Sequence, residues 1–181
     1  MPHLDAGRLI YLDETAASTA ETRRYARAAP GERAVGDVPC GHWSVITLVA
    51  ALGVQGVLAS LIYSGGTDIE AFAAFVEEVL APKLRSGDIV LLDNLSSHKS
   101  ERVRLALAAR GATLLLLPPY SPDLNPIEKA WAKLKSWLRT RAARTTLTVG
   151  YALGEALDRI TAADCRGYFA SCGVSLATLT C

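Results

Sequence analysis

Asp13, Asp93 and Glu128 are distant in the chain, yet each stands where a carboxylate can meet others. Asp13 follows the apolar run Leu9-Ile10-Tyr11-Leu12. Asp93 follows Ile89-Val90-Leu91-Leu92, and Glu128 falls in the first turn of a helix opening at Pro126. Converging carboxylates repel one another unless cations neutralise them. Oxygen ligands of this hardness select magnesium or manganese. Two such ions roughly 4 Å apart activate a nucleophile and stabilise the leaving oxygen of a phosphodiester. Each residue also has a plainer reading. Asp13 suits a cap for the segment after Glu14, and Asp93-Asn94 suits a turn at a strand end. Asn125-Pro126-Ile127-Glu128 reads as an N-cap, a proline at the first helical position and a capping-box glutamate. Only the three acids together, on the right elements, outweigh these readings.

The elements that must position them follow from periodicity. Residues 8–12 read as a strand ending at Asp13. Residues 43–52 and 54–63 read as a hairpin, and 69–84 as a helix through Phe72, Phe75, Val76, Val79 and Leu80. Residues 89–92 and 113–117 suit strands buried on both faces. Residues 99–110 read as a helix stopped by Gly111, 126–143 as another, and 148–162 and 163–171 as one or two more. Three meandering strands followed by crossover units imply an α/β fold. The architecture expected is a ribonuclease-H-like mixed five-stranded sheet flanked by helices. In that order the first and fourth strands run parallel side by side, which brings Asp13 and Asp93 to one edge. The helix bearing Glu128 returns across it.

The chain of 181 residues suits one domain spanning 1–181. Half of it is hydrophobic and its net charge is +1, so nucleic-acid contacts must come from local patches. Cys40, Cys165, Cys172 and Cys181 form no Cys-x-x-Cys pair, and His3, His42 and His98 form no ligand cluster, which argues against structural zinc. No secretory leader is evident, so free thiols in a reducing cytoplasm are expected. Residues 46–63 imitate a membrane span in length and apolarity. Gly53, Gln55 and Gly56 interrupt them and β-branched residues flank the break, favouring two strands and no membrane.

Two segments carry a family resemblance. Leu91-Leu92-Asp93-Asn94-Leu95-Ser96-Ser97-His98-Lys99 resembles the second-aspartate motif of DDE-superfamily transposases. Leu117-Pro118-Pro119-Tyr120-Ser121-Pro122-Asp123-Leu124-Asn125-Pro126-Ile127-Glu128 resembles the third-acid motif of their mariner-like bacterial insertion-sequence group. The thirty-four residues between Asp93 and Glu128 match the short spacing of that group, and Tyr11-Leu12-Asp13-Glu14-Thr15 with Thr22-Arg23-Arg24-Tyr25 resembles its first-aspartate region. The resemblance implies metal-dependent cleavage at transposon ends and strand transfer of the freed 3′ hydroxyl into target DNA. It implies Asp13, Asp93 and Glu128 as catalytic metal ligands for Mg2+ or Mn2+, two ions in number, with Asn94, His98 and Asn125 in supporting roles. A homodimer that holds both DNA ends is a family implication, and a bacterial, nucleoid-associated protein in the cytoplasm is expected. Only twelve residues precede Asp13, which leaves no room for the family's N-terminal helix-turn-helix. That region is expected to be absent, or supplied by a separate subunit. Alternatives are a truncated or repurposed DNA-binding domain without catalysis, and another ribonuclease-H-like nuclease.

Lys129, Lys133, Lys135, Arg139, Arg141 and Arg144 follow Glu128 with no acid among them. The apolar stripe of Ile127, Ala130, Trp131, Leu134, Trp137 and Leu138 turns them outward. A solvated helix face is one reading and a phosphate-contacting face is the other. Lys129, Lys133, Lys135 and Arg139 are candidate DNA contacts, with Arg23 and Arg24 as a second cluster beside Arg27. Trp131 and Trp137 read as core residues from their helical register.

Overall fold

The structure, a computed structural model, describes residues 5–23, 25–66, 69–93 and 100–176. Its strands are β1 (Leu9–Ser18), β2 (Val45–Gly53), β3 (Gly56–Ser64), β4 (Ile89–Leu92) and β5 (Thr113–Leu116). They form one sheet in the order β3-β2-β1-β4-β5. β1 pairs antiparallel with β2 and parallel with β4, β2 pairs antiparallel with β3, and β4 pairs parallel with β5. This is the expected mixed sheet. The stretch that imitates a membrane span is the β2–β3 hairpin, and no helix among the described residues is long and apolar enough to cross a membrane.

The helices are α1 (Ile69–Ala74), α2 (Glu101–Ala108), α3 (Pro126–Arg141), α4 (Thr146–Asp158) and α5 (Ala162–Ser171). Alternation along the strands divides the core between two faces. Leu9, Tyr11, Leu48 and Ala50 pack with α3, α4 and α5, while Ile10, Leu12, Val49, Val90 and Leu92 pack with α1 and α2. Thr145 and Thr161 start α4 and α5 with reciprocal side-chain caps from Thr148 and Asp164.

Three expectations change. β1 does not end at Asp13 but runs five residues further, to Ser18, because β2 pairs along its whole length as far as Ser18↔Val45. The segment expected as one helix over 69–84 is helical but not uniform: α1 passes into a π-helical turn at Phe75–Leu80 and a 3-10 turn at Ala81–Lys83. Nothing in the structure explains the π turn. β5 is not buried on both faces. It is an edge strand, α3 and α4 cover β1 to β3, and Leu115 and Leu116 remain 41% and 44% exposed.

Candidate active site

The parallel register of β1 and β4 pairs Leu9 with Ile89 through to Leu12 with Leu92. The next residue on each strand is an aspartate, so Asp13 and Asp93 stand abreast where β4 stops. β1 continues, which makes Asp13 a mid-strand residue on the face covered by α3. Beyond β5 the Leu117 N–H donates to the Leu92 carbonyl at 2.7 Å, holding the start of the proline-rich segment against the end of β4. A 3-10 turn at Pro122–Leu124 and extended backbone at Asn125 then lead into α3. Pro126 opens that helix, where its missing N–H costs nothing. Ile127, Ala130, Trp131, Leu134 and Leu138 form its buried stripe. With that stripe against the sheet, Glu128 emerges on the exposed side of the first turn.

Asp93, Asn125 and Glu128 line a common cleft of about 330 Å³ with residues 117–122. Asp13 lies behind it, 6% exposed. Its Oδ1 accepts a hydrogen bond from the Glu14 backbone N–H at 2.8 Å. Its Oδ2 accepts from the Trp131 indole N–H at 3.2 Å and from the Asn125 amide at 3.4 Å. Burial raises the Asp13 pKa to about 7; the Glu14 N–H opposes the rise, the Glu128 charge adds to it, the Trp131 bond opposes it and the Asp93 charge adds to it. Asp13 therefore feels both other acids, and their charges add to burial in disfavouring its ionised form.

The plainer reading of Glu128 loses its basis. No side chain caps α3 at Asn125, and the Glu128 N–H bonds to the Asn125 carbonyl at 3.2 Å in place of any Asn125 side-chain oxygen. The amide that would cap the helix reaches Asp13 instead. Among the described residues no three His, Cys, Asp or Glu side chains stand close enough together to enclose an ion. The triad is open. Magnesium suits an open site, since it keeps several waters and takes one or two carboxylates along with substrate phosphates.

Residues 8–148 match the family described as DDE superfamily endonuclease. The chain belongs to that family. Its fold is the ribonuclease-H-like fold of the transposase in the Mos1 transposase paired-end complex with left transposon end, at TM-score 0.77 and 20% identity, over 92% of this chain and 52% of that one. The Mos1 transposase catalytic domain with Raltegravir and Mg aligns at TM-score 0.63 and 16% identity, over 92% of this chain and 79% of that one. The simian T-cell lymphotropic virus intasome in complex with PP2A regulatory subunit B56 gamma aligns at TM-score 0.54 and 13% identity, over 83% of this chain and 48% of that one. No curated protein matches the chain. It spans about half the length of the paired-end-complex transposase.

Within this DDE endonuclease the other candidates divide. Asn125 is buried beside Asp13. Asn94, His98 and Arg24 lie outside the described residues. Lys133 is joined to Asp164 at 2.6 Å and to the Arg159 carbonyl, Arg139 approaches Glu21 at 3.5 Å, and Arg141 pairs with Glu155. Arg144 donates to the Thr19 and Glu21 carbonyls. Part of the basic face thus ties α3 to α4, α5 and the segment after β1. Lys129, Lys135 and Arg23 have no ion pair among the described residues. Helical register alone missed the role of Trp131 toward Asp13. The available signal was chemical: the N–H of a buried tryptophan commonly finds an acceptor, though it does not require one.

Proposed function

We propose that this DDE endonuclease is the catalytic core of a cut-and-paste transposase, which cuts DNA at transposon ends and joins the freed 3′ hydroxyl to target DNA. The observation that supports it most is the buried Asp13 carboxylate, with Asp93 abreast of it and the charges of Asp93 and Glu128 both felt there. Transposase with transposon-end DNA among the solved relatives points the same way.

Asp13, Asp93 and Glu128 would hold magnesium or manganese, two ions in the full assembly. Such ions lower the pKa of a bound water, polarise a phosphodiester and stabilise the leaving oxygen. The chain's own residues do the rest. Residues 117–122 wall one side of the cleft, and Asn125 holds the Asp13 carboxylate. Lys129 and Lys135, whose charges have no acid partner among the described residues, meet DNA phosphates along α3. Arg23 extends that contact, whereas Lys133 and Arg139 are engaged with Asp164 and Glu21; from the sequence motif alone, Arg24 is assigned to DNA and Asn94 and His98 to supporting roles. The working assembly is a homodimer holding two ends, with end recognition supplied by a helix-turn-helix region or a separate subunit.

The test is manganese-dependent cleavage of duplex DNA by the wild-type chain and by Asp93→Asn. The variant is expected to keep the fold by circular dichroism and to lose activity by about a hundredfold or more, because a correctly held ion supplies several kcal/mol of transition-state stabilisation. Undiminished cleavage by Asp93→Asn would overturn the proposal. A preference for an RNA–DNA hybrid over duplex DNA would assign the chain to a different ribonuclease-H-like nuclease.

A further inference from the structure

Trp131 lies on the buried stripe of α3 and is 3% exposed, which by itself describes a core residue. Its indole N–H, however, ends on Asp13 Oδ2 at 3.2 Å. Trp137 on the same helix shows that α3 tolerates a buried indole N–H without a protein acceptor: its Nε1 is buried with no hydrogen-bond partner among the described residues, and its ring is covered by Arg159 at 3.7 Å. Core packing therefore does not require the Trp131 bond, which is a bond from a rigid aromatic to a carboxylate 118 residues away. Hydrogen bonds to an ionised acceptor are about twice as strong as neutral ones. With Asn125 also on Oδ2, that oxygen takes two donors and Oδ1 takes one, from Glu14. The carboxylate cannot rotate without losing all three, and Oδ1 keeps the freer lone pair.

We propose that Trp131 is a positioning residue of the active site: its indole N–H fixes the orientation in which Asp13 meets a divalent cation. This rests on the reading of Asp13 as a metal ligand. Trp131 sits three residues after Glu128, on the next turn of α3. The helix that carries one acid thus clamps another, and a single seating of α3 on β1 sets both. Partners that orient a ligating carboxylate are worth roughly 10- to 100-fold in metal affinity.

The experiment is calorimetric titration of Mn2+ into the wild-type chain, Trp131→Phe and Asp13→Asn. Phenylalanine keeps an aromatic ring in the stripe and removes only the donor. Trp131→Phe is expected to remain folded and to bind Mn2+ roughly 10- to 100-fold more weakly, while Asp13→Asn loses the site. Wild-type affinity in Trp131→Phe together with loss in Asp13→Asn overturns the role of Trp131 and leaves the metal site standing. Unchanged binding in Asp13→Asn overturns the metal site itself. If Trp131→Phe fails to fold, the wild-type chain with 15N-labelled tryptophan decides. Mg2+ should shift the Trp131 indole N–H resonance, assigned by Trp43→Phe and Trp137→Phe, and should not shift it in Asp13→Asn. A Trp131 resonance indifferent to Mg2+ in the wild type overturns the proposal.

Discussion

Asp13 joins two properties that ordinarily exclude each other, since it is almost fully buried and is also the residue on which two other acids act. Burial costs the ionised form, and the Glu14 and Trp131 donors recover only part of that cost. This gives the site a stability signature. In the unfolded chain Asp13 releases its proton near 3.8, and in the folded chain near 7. Between those values the folded state holds the extra proton, so the contribution is whole below about 3.8 and gone above about 7. Its full size is on the order of 4 kcal/mol. Without metal, the wild-type chain should therefore lose more thermal stability between pH 5 and pH 8 than Asp13→Asn does. Melting curves of both proteins at the two pH values, in chelator, check this; parallel losses would contradict it. The acids themselves were legible in the sequence because each follows an apolar run or opens a helix. The hydrogen bonds of Asp13 were not, since Asn125 read as a cap and Trp131 as core, and only the docking of α3 shows where those donors point.

At the scale of elements, periodicity located all five strands and the helices, and it failed where neighbours decide. β1 is buried on both faces from Leu9 to Leu12, where β4 lies beside it, and alternates beyond, so its apolar run marks the span shared with β4 and not the strand's end. β5 carries the same Leu-rich pattern as a central strand, and edge position is a property of topology that composition does not encode. The end of α3 offers a direct test of local physics. Ala142 closes that helix in the left-handed region at φ 48°, a conformation that crowds a Cβ. Ala142→Gly should stabilise the chain by about 0.5–1 kcal/mol, the larger entropy of the unfolded glycine offsetting part of the relief. Chemical denaturation measures it, and a destabilised variant would show that the Ala142 side chain makes contacts worth more than the strain. At the other turn, Gly111 also has a positive φ of 70° and a Cβ there would meet Ser86 Oγ at 2.7 Å. Gly111→Ala should accordingly destabilise.

For the whole molecule, a net charge of +1 leaves no general attraction to DNA, so affinity rests on the few cations not engaged within the chain. Sequence alone presented the α3 basic residues as one face. The fold separates them, because Lys133, Arg139 and Arg141 meet acids from α5, from the segment after β1 and from α4. Lys129→Ala and Lys135→Ala should each lower the salt slope of duplex DNA binding by about 0.9 with little change in stability. Lys133→Ala should instead loosen the α3–α5 junction and lower the melting temperature. Fluorescence anisotropy over a salt series separates these outcomes, and an unchanged slope in both Lys129→Ala and Lys135→Ala would remove α3 from the DNA path. The claim on which the rest depends is that Asp13, Asp93 and Glu128 hold divalent cations together. Anomalous diffraction from manganese-soaked crystals tests it most directly. Manganese density is expected to be bounded by Asp13, Asp93 and Glu128 at the mouth of the cleft; crystals with manganese bound elsewhere and none among these three carboxylates would contradict this.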